Sequence, residues 1–298
     1  MPYDIIEVSS TGNIGVGRYP NKADLGRVVK IVYADSSQQF ATQTAAEVVA
    51  TWNTGIKAKT FTPFPISQIT TPKGKEPAFK EFPQGGQIKV NDGSKSWEMS
   101  FYYPFLIWKE IKKWDGVHGK WYIGYSSGKT MGYSPDGTKM EGIAGTIFVN
   151  PLTETDGTDS NFITVTLVLD NSDDIKKAVT IQPSTWKLTD LDAIHNIELA
   201  LIGSAVATGF TFSATIKGFT AQSTGRLTGL VKADFEWLKA DGTTQASAIS
   251  TLTDNNDGTY TAAGTGIVTG SFNLLDPDDV TYAGLFIEST GAVTITIA

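Results

Sequence analysis

The chain has 298 residues, of which 40% are hydrophobic, and it contains no cysteine. This length provides enough apolar side chains for one large domain or two ordinary ones, and the lack of cysteine excludes disulfides and thiolate metal sites. A formal net charge of −7 argues against a protein that binds nucleic acid through its phosphates, because such binding needs clustered lysine and arginine.

The residue types favour strands and turns over helices. Charged residues make up 18% of the chain, whereas it has 30 glycines and is rich in threonine and aromatic residues, so we predict a mainly β protein. The apolar runs are far shorter than the ~20 residues that a membrane-spanning helix needs, and we expect no contact with a membrane. The first residues, Met1-Pro2-Tyr3-Asp4, do not resemble a signal peptide, so we expect the chain to be made and to act in a cytoplasm.

The first predicted elements in chain order are a buried strand and a helix. Residues 26–33 form a nearly continuous apolar run that predicts the strand. A capping box formed by Thr44 and Glu47 predicts the start of the helix, and Gly55 predicts its end. The apolar side chains that share one face of this helix are Ala45, Val48, Val49 and Trp52.

Residues 58–86 interleave prolines with aromatic residues and keep no sustained period. The segment is too aromatic for a solvated linker, and a loop of this length is unusual inside a compact domain. We therefore predict an arm over residues 58–86 that lies across a neighbouring subunit; the alternative is an arm folded over its own sheet. The predicted contacts of this arm are Phe61, Phe64, Phe79 and Phe82.

The next segment predicts a small curved sheet with one helix. A strand is predicted over 86–90, and a second one where Trp97, Met99 and Phe101 alternate with polar neighbours. A tight turn at Asn91-Asp92-Gly93-Ser94 would join them, because Asp-Gly supplies the positive φ values of such turns. A helix is predicted from Pro104 to Trp114, with Gly116 just past its end. Strands over 120–125, 131–133 and 145–149 complete the order β-β-α-β-β-β. A turn at Ser134-Pro135-Asp136-Gly137 is predicted between the last two of these strands.

This order resembles the tube-forming core of the major tail (tail tube) proteins of long-tailed bacteriophages and of the tube proteins of contractile injection systems. The segments that carry the resemblance are Glu81-Phe82-Pro83-Gln84-Gly85-Gly86, the Asn91-Asp92-Gly93 turn, the helix from Tyr103 to Trp114, Lys120-Trp121-Tyr122-Ile123 and the strand from Phe162 to Leu169. The resemblance covers roughly the first two-thirds of the chain and rests on a pattern of elements rather than on a signature residue.

The resemblance implies a structural protein of the virion tail and not an enzyme. Copies of the chain would form stacked homo-hexameric rings, contact other tail proteins and enclose a conduit, and extended arms would connect the rings. DNA would pass through without specific binding, helped by an acidic inner wall. The resemblance implies no cofactor, and assembly would take place in the host cytoplasm.

Composition changes near Gly203, and we predict a first domain over residues 1–203 and a second over 204–298. The second segment has eighteen threonines and four lysines and arginines against nine aspartates and glutamates. Its alternating apolar residues predict an immunoglobulin-like β-sandwich. Residues 254–261 resemble the corner of bacterial immunoglobulin-like and invasin-like domains, in which Tyr260 would close the turn with its hydroxyl. Such a domain would project outward and could contact a host-surface glycan.

Residues with catalytic or ligand chemistry have simpler structural interpretations. His118 and His195 lack neighbours at metal-ligand spacing, and we expect surface or capping roles. Ser126-Ser127-Gly128-Lys129-Thr130 lacks the first glycine of a phosphate loop and a following helix, so we predict a turn. The acidic groups at Asp254 and Asp257 and at Asp276, Asp278 and Asp279 predict turns held by side-chain hydrogen bonds, with a weak ion site as the alternative.

A second functional hypothesis is a virion decoration, baseplate or adhesin-type protein that binds a glycan or receptor. It rests on aromatic side chains that could stack on sugars if they were exposed. These side chains are Trp114, Trp121, Tyr122 and Tyr125. Their alternation along a strand favours packing in a core instead.

Overall fold

A computed structural model describes residues 25–76, 78–82, 86–91, 93–102, 105–153, 162–170, 177–217, 225–275, 281–282 and 285–297. The protein is mainly β, as predicted, with 52% of the described residues in strands and 11% in helices. It divides into two compact units, Met1–Asp192 and Ala193–Ala298.

The first unit contains short helices and a large sheet. Its helices are α1 (Gln43–Ala46), α2 (Val49–Lys57) and α3 (Phe105–Lys112). Its strands are β1 (Val28–Ala34), β2 (Gln39–Phe40), β3 (Phe61–Pro63), β4 (Ile69–Lys75), β5 (Ala78–Glu81), β6 (Gln87–Asn91), β7 (Ser94–Phe101), β8 (His118–Tyr125), β9 (Thr130–Tyr133), β10 (Met140–Glu141), β11 (Ile143–Val149), β12 (Ile163–Leu169) and β13 (Ala178–Ile181).

The sheet is curled and follows the order β2-β10-β9-β8-β11-β12-β7-β4. Strand β1 pairs with β8 and β3, and β13 pairs with β9. Along β7 the large side chains alternate with short polar ones, so Trp97, Met99 and Phe101 lie in the core. Ile111 of α3 packs into the same core, which confirms the predicted amphipathic helix in this region.

The predicted helix over residues 44–55 forms as two pieces. Thr42, not Thr44, caps α1, since its hydroxyl accepts a hydrogen bond from Ala45 N. Helix α2 then begins at Val49 and continues past Gly55 to Lys57. Trp52 is fully buried, as its helical position predicted, but Val48 and Val49 are exposed.

The boundary between the units lies before Gly203. The second unit contains β14 (His195–Val206), β15 (Gly209–Ile216), β16 (Phe235–Lys239), β17 (Ile249–Asp254), β18 (Thr259–Gly264), β19 (Gly270–Leu274), β20 (Thr281–Tyr282), β21 (Leu285–Ser289) and β22 (Val293–Ile295). Because β14 pairs with β15 and β21, residues 195–203 belong to the second unit and not to the first.

The second unit is a sandwich of two sheets around one core. Six strands follow the order β17-β18-β15-β14-β21-β20, and three follow β16-β19-β22. Phe212 from the first sheet and Trp237 and Phe272 from the second belong to one buried cluster. The hydroxyl of Tyr260 donates to Leu227 O at 2.9 Å and accepts from Leu230 N at 3.3 Å. It therefore ties a separate segment to the sheet rather than closing the turn before it.

A buried lysine fixes the end of the first unit. The side chain of Lys30, on β1, is only 2% exposed and lies 3.9 Å from Asp192 Oδ1. Its ammonium group donates hydrogen bonds to the carbonyl oxygens of Thr189 and Leu191. Removal from water lowers the pKa of Lys30, although Asp192 and Asp190 act in the opposite direction.

Candidate assembly surface

The four phenylalanines predicted to form the arm fall into two groups. Phe61 and Phe64 are 5% and 3% exposed, whereas Phe79 and Phe82 are 58% and 49% exposed. The prediction of inter-subunit contacts was wrong for Phe61 and Phe64, which lie in the core of their own unit. For Phe79 and Phe82 it stays a prediction.

Packing explains why the first pair is buried. Phe61 lies in β3 opposite Ala34 of β1, and its ring stacks on Phe40 with centroids 5.5 Å apart. Gly55 permits this position, because a Cβ there would lie 2.2 Å from Phe61 Cδ2. Phe64 instead packs edge to face on Trp114, with centroids 5.2 Å apart. Residues 58–67 are thus tied to the sheet and are not a free arm.

The rest of the predicted arm forms one side of a long, interrupted hairpin. Strand β4 pairs with β7 from Ile69↔Ser100 to Lys75↔Ser94, and β5 pairs with β6 from Ala78↔Asn91 to Glu81↔Gln87. The chain reverses between Phe82 and Gly86, where Phe82 N donates to Gly86 O at 2.7 Å.

The tight turn predicted at residues 91–94 was therefore wrong. Gly93 has the expected positive φ of 79°, but β6 and β7 pair with different strands and not with each other. Asp92, which the same prediction used, lies outside the described residues.

The outer part of the hairpin, β5–β6, exposes apolar side chains. Lys80 of β5 lies directly opposite Ile88 of β6, so the two side chains share one face of the ribbon. Phe82 is two residues after Lys80, and its side chain therefore lies on the same face. Phe79 lies on the other face with Glu81. Ile88 is 52% exposed, which is high for an isoleucine. We call the Lys80, Phe82 and Ile88 side of β5–β6 the tip face.

Among the described strands, β4 lies at one end of the curled sheet. Its residues are exposed or half-buried throughout, and Ile69 is 50% exposed. Pro72 and two lysines lie in this strand, and these are residue types that limit uncontrolled pairing at sheet edges. These residue types are typical of a strand at the edge of a sheet.

The face of β11-β12-β7-β4 opposite the core is rich in hydroxyl groups. Two adjacent cross-strand rows on it are Phe148-Thr166-Glu98-Thr71 and Thr146-Val168-Ser96-Lys73. The two charged residues in these rows lie close together, with Lys73 Nζ 3.8 Å from Glu98 Oε1. The net acidic charge of the chain is not concentrated on this face.

A groove of about 470 Å³ lies between α2 and the strands β2 and β3. Phe40 and Phe61 form its apolar part, and the amides of Gln38 and Gln39 lie at its rim. Three threonines, two alanines and Gly55, mostly from or next to α2, complete the lining, and none of these lining residues is charged. Sequence reasoning missed this groove because its walls come from segments that are distant along the chain.

The aromatic residues considered for glycan stacking are mainly core residues. Trp121 and Tyr122 are fully buried, and Tyr125 is nearly so. Burial raises the pKa of Tyr125 to about 12 and raises that of Tyr122 further, and Glu141 contributes to the shift at Tyr122. Trp114 is half-buried against Tyr33 and Phe64. The alternation in the sequence had favoured this packing.

The two histidines lie at the starts of different strands, β8 and β14. His118 Nε2 is 2.5 Å from Asp170 Oδ2, and both side chains are substantially exposed. This pair joins β8 to the end of β12 across the intervening strand β11 at the surface, which agrees with the expected surface role of His118.

The predicted turns at residues 126–129 and at Asp257 are present. Residues 126–129 connect β8 to β9, with Tyr125 N donating to Lys129 O at 2.9 Å. Asp257 accepts hydrogen bonds from the hydroxyl and the N–H of Thr259, which lower its pKa. Asp276, Asp278 and Asp279 lie outside the described residues, and within the described ones no cluster of His, Asp and Glu could hold a metal ion.

None of the helices in the described ranges is long and apolar enough to span a membrane. Neither a protein-family model nor a curated protein sequence matches this chain. The fold and the surfaces described above are therefore the observations that bear on function.

Proposed function

We propose that this chain is the major tail tube subunit of a bacteriophage, which assembles into stacked hexameric rings around a DNA conduit. The role would be structural and electrostatic rather than catalytic. The observation that carries the proposal is a curled sheet that ends in the open strand β4 and continues into an exposed hairpin with apolar side chains.

An open strand edge favours the addition of another strand. If β4 pairs with a sheet edge of the next copy, the unsatisfied backbone groups of both edges become paired. Repeating this heterologous contact by rotation closes a ring, and the sheets of all copies then form one barrel wall. The curl of the sheet supports this closure, because a flat sheet does not close into a barrel.

We further propose that the hydroxyl-rich face of β11-β12-β7-β4 lines the conduit. The opposite face packs on the core of the subunit, so this one is available to the bore. Two lysines, Lys73 and Lys75, lie on this face with Glu98, and Lys73 lies beside the glutamate. The small positive excess would hold DNA phosphates only weakly. This revises the expected mechanism from an acidic wall to a nearly neutral one.

The adhesin-type hypothesis receives no support from a specific observation on the first unit. The side chains on which it depended are buried or half-buried, so they are not a platform for sugars. Contact with a host-surface glycan through the second unit stays a prediction.

Electron microscopy of the purified protein tests the proposal directly. We expect rings of six copies and stacked tubes as the protein concentration is raised, with sedimentation velocity reporting the same species in solution. A sample that stays monomeric at every salt and protein concentration tried would argue strongly against a tube subunit.

A further inference from the structure

We propose that the groove between α2, β2 and β3 is the receptor for the hairpin tip face of a second copy of this chain. The inference rests on the proposed function and specifies which surfaces of two subunits meet. Phe82 and Ile88 of one copy would enter the groove of the next, above Phe40 and Phe61.

The groove has the chemistry of a receptor for an apolar side chain. Its base is aromatic, and none of its lining residues is charged. A phenylalanine that enters the groove therefore does not remove a charged group from water, which would be unfavourable. The rim carries amide and hydroxyl groups that can bond to the backbone and to the side chain of an incoming lysine. A volume of about 470 Å³ accommodates two side chains and not a folded domain, which fits the end of a hairpin.

The tip face has the complementary chemistry. Phe82 and Ile88 are about half exposed and lie around Lys80 on one side of a two-stranded ribbon. Exposed apolar side chains grouped in this way mark interaction sites, because leaving them in water is unfavourable. Lys80 lies between them with a long side chain whose charge can stay at the polar rim while its methylene groups are covered.

The two surfaces lie on different elements of the same chain, so the contact would be heterologous. Each copy then offers one tip face and one groove, and the contact propagates from copy to copy until a ring or tube closes. A small molecule in the groove would leave the tip face exposed, whereas a second copy covers both surfaces at once. The second copy is therefore the occupant that the structure favours.

Paired variants test each side of the contact. Phe82→Ser with Ile88→Ser removes the apolar side chains of the tip, and Thr54→Trp fills the groove from its exposed α2 position. We expect each to weaken self-association by about tenfold or more, as loss of a central aromatic contact does in other interfaces. Circular dichroism and thermal unfolding would establish that both variants stay folded.

Matched controls separate this contact from general surface effects. Val49→Trp adds the same bulk to α2 at an exposed position that does not line the groove. Ile202→Ser with Val206→Ser removes two exposed apolar side chains from β14 in the second unit. We expect self-association of both controls to match that of the unaltered protein.

Cross-linking provides an independent measurement because the chain has no cysteine. Under mild oxidation, a Lys80→Cys protein mixed with a Thr54→Cys protein should form a disulfide-linked pair. A Lys80→Cys protein mixed with Val49→Cys should not. Equal cross-linking in the two mixtures would overturn the proposed contact.

The outcomes distinguish this inference from the function on which it rests. If Thr54→Trp assembles normally while Phe82→Ser with Ile88→Ser does not, the hairpin binds outside the groove. That result would contradict the groove contact but not the proposal that the chain is a tube subunit. If the unaltered protein never self-associates and no specific cross-link forms, both proposals fail. A specific cross-link without rings would support the contact and contradict the tube.

Discussion

Asp136 lies in the turn between β9 and β10, and hydrogen bonds lower its pKa. Its Oδ1 accepts hydrogen bonds from the N–H groups of Lys139 and Thr138 and from the Thr138 hydroxyl. These bonds lower the pKa of Asp136 from its ordinary 3.8 to about 2, the bond from Lys139 N having the largest effect. The sequence predicted a turn at this point, but not the three donors that converge on one oxygen.

The shift predicts how acid affects the fold. Because the native pKa is depressed, the stabilisation is complete above a pH of about 4 and is lost as the pH falls through about 2. The Asp136→Asn variant should therefore show a weaker dependence of stability on pH in this window. Urea unfolding at a series of pH values measures it, with the exposed Glu236→Gln as the control. Equal slopes for wild type and Asp136→Asn would contradict the assignment.

At the scale of elements, phenylalanines of the predicted arm over residues 58–86 lie in opposite environments. The strand β3 pairs with β1, so Phe61 points into an aromatic cluster. Among the described strands β5 pairs with β6 alone, and Phe79 is exposed to water. No local period distinguishes the two residues. Partner strands distant along the chain decided which of them became part of the core.

This difference predicts unequal costs for the same substitution. Phe61→Ala should lower the free energy of unfolding by about 3–5 kcal/mol, since it removes buried contacts and leaves a cavity. Phe79→Ala should change it by less than about 0.5 kcal/mol, as surface substitutions do. Chemical denaturation of the two variants measures both values. A large cost at Phe79 would mean that the hairpin packs on its own subunit.

At the scale of the whole molecule, each unit has its own core. The core of the second unit includes Ile197 and Leu199 of β14, a strand that pairs on both sides within its sheet. Composition placed the boundary near Gly203 because threonine becomes frequent after it, but composition carries no information about strand pairing. The second unit therefore begins before β14.

The boundary predicts which fragments fold. A protein of residues 193–298 should give dispersed amide resonances and a cooperative thermal transition, because both neighbours of β14 are then satisfied. A protein of residues 204–298 lacks most of β14, which exposes β15 and β21 and removes Ile197 and Leu199 from the core. We expect it to be unfolded or aggregated. If the 204–298 fragment folds, the domain boundary lies near Gly203, as composition predicted.

The sequence by itself determined the fold class, most individual strands and the helix near residues 105–112. These depend on local alternation, helical spacing and turn residues, which adjacent positions report directly. Trp97, Met99 and Phe101 were assigned to the core for this reason. The Asp136, Ser126–Lys129 and Asp257 turns were likewise evident from local chemistry.

Only the tertiary structure decided the pairing of strands and the surfaces that result from it. The reversal at Phe82 to Gly86 rather than at Gly93, the burial of Phe61 and the groove beside α2 all depend on contacts between segments far apart in the chain. Such contacts are set by which hydrophobic faces cover one another, and that is a property of the whole packed chain rather than of any local stretch.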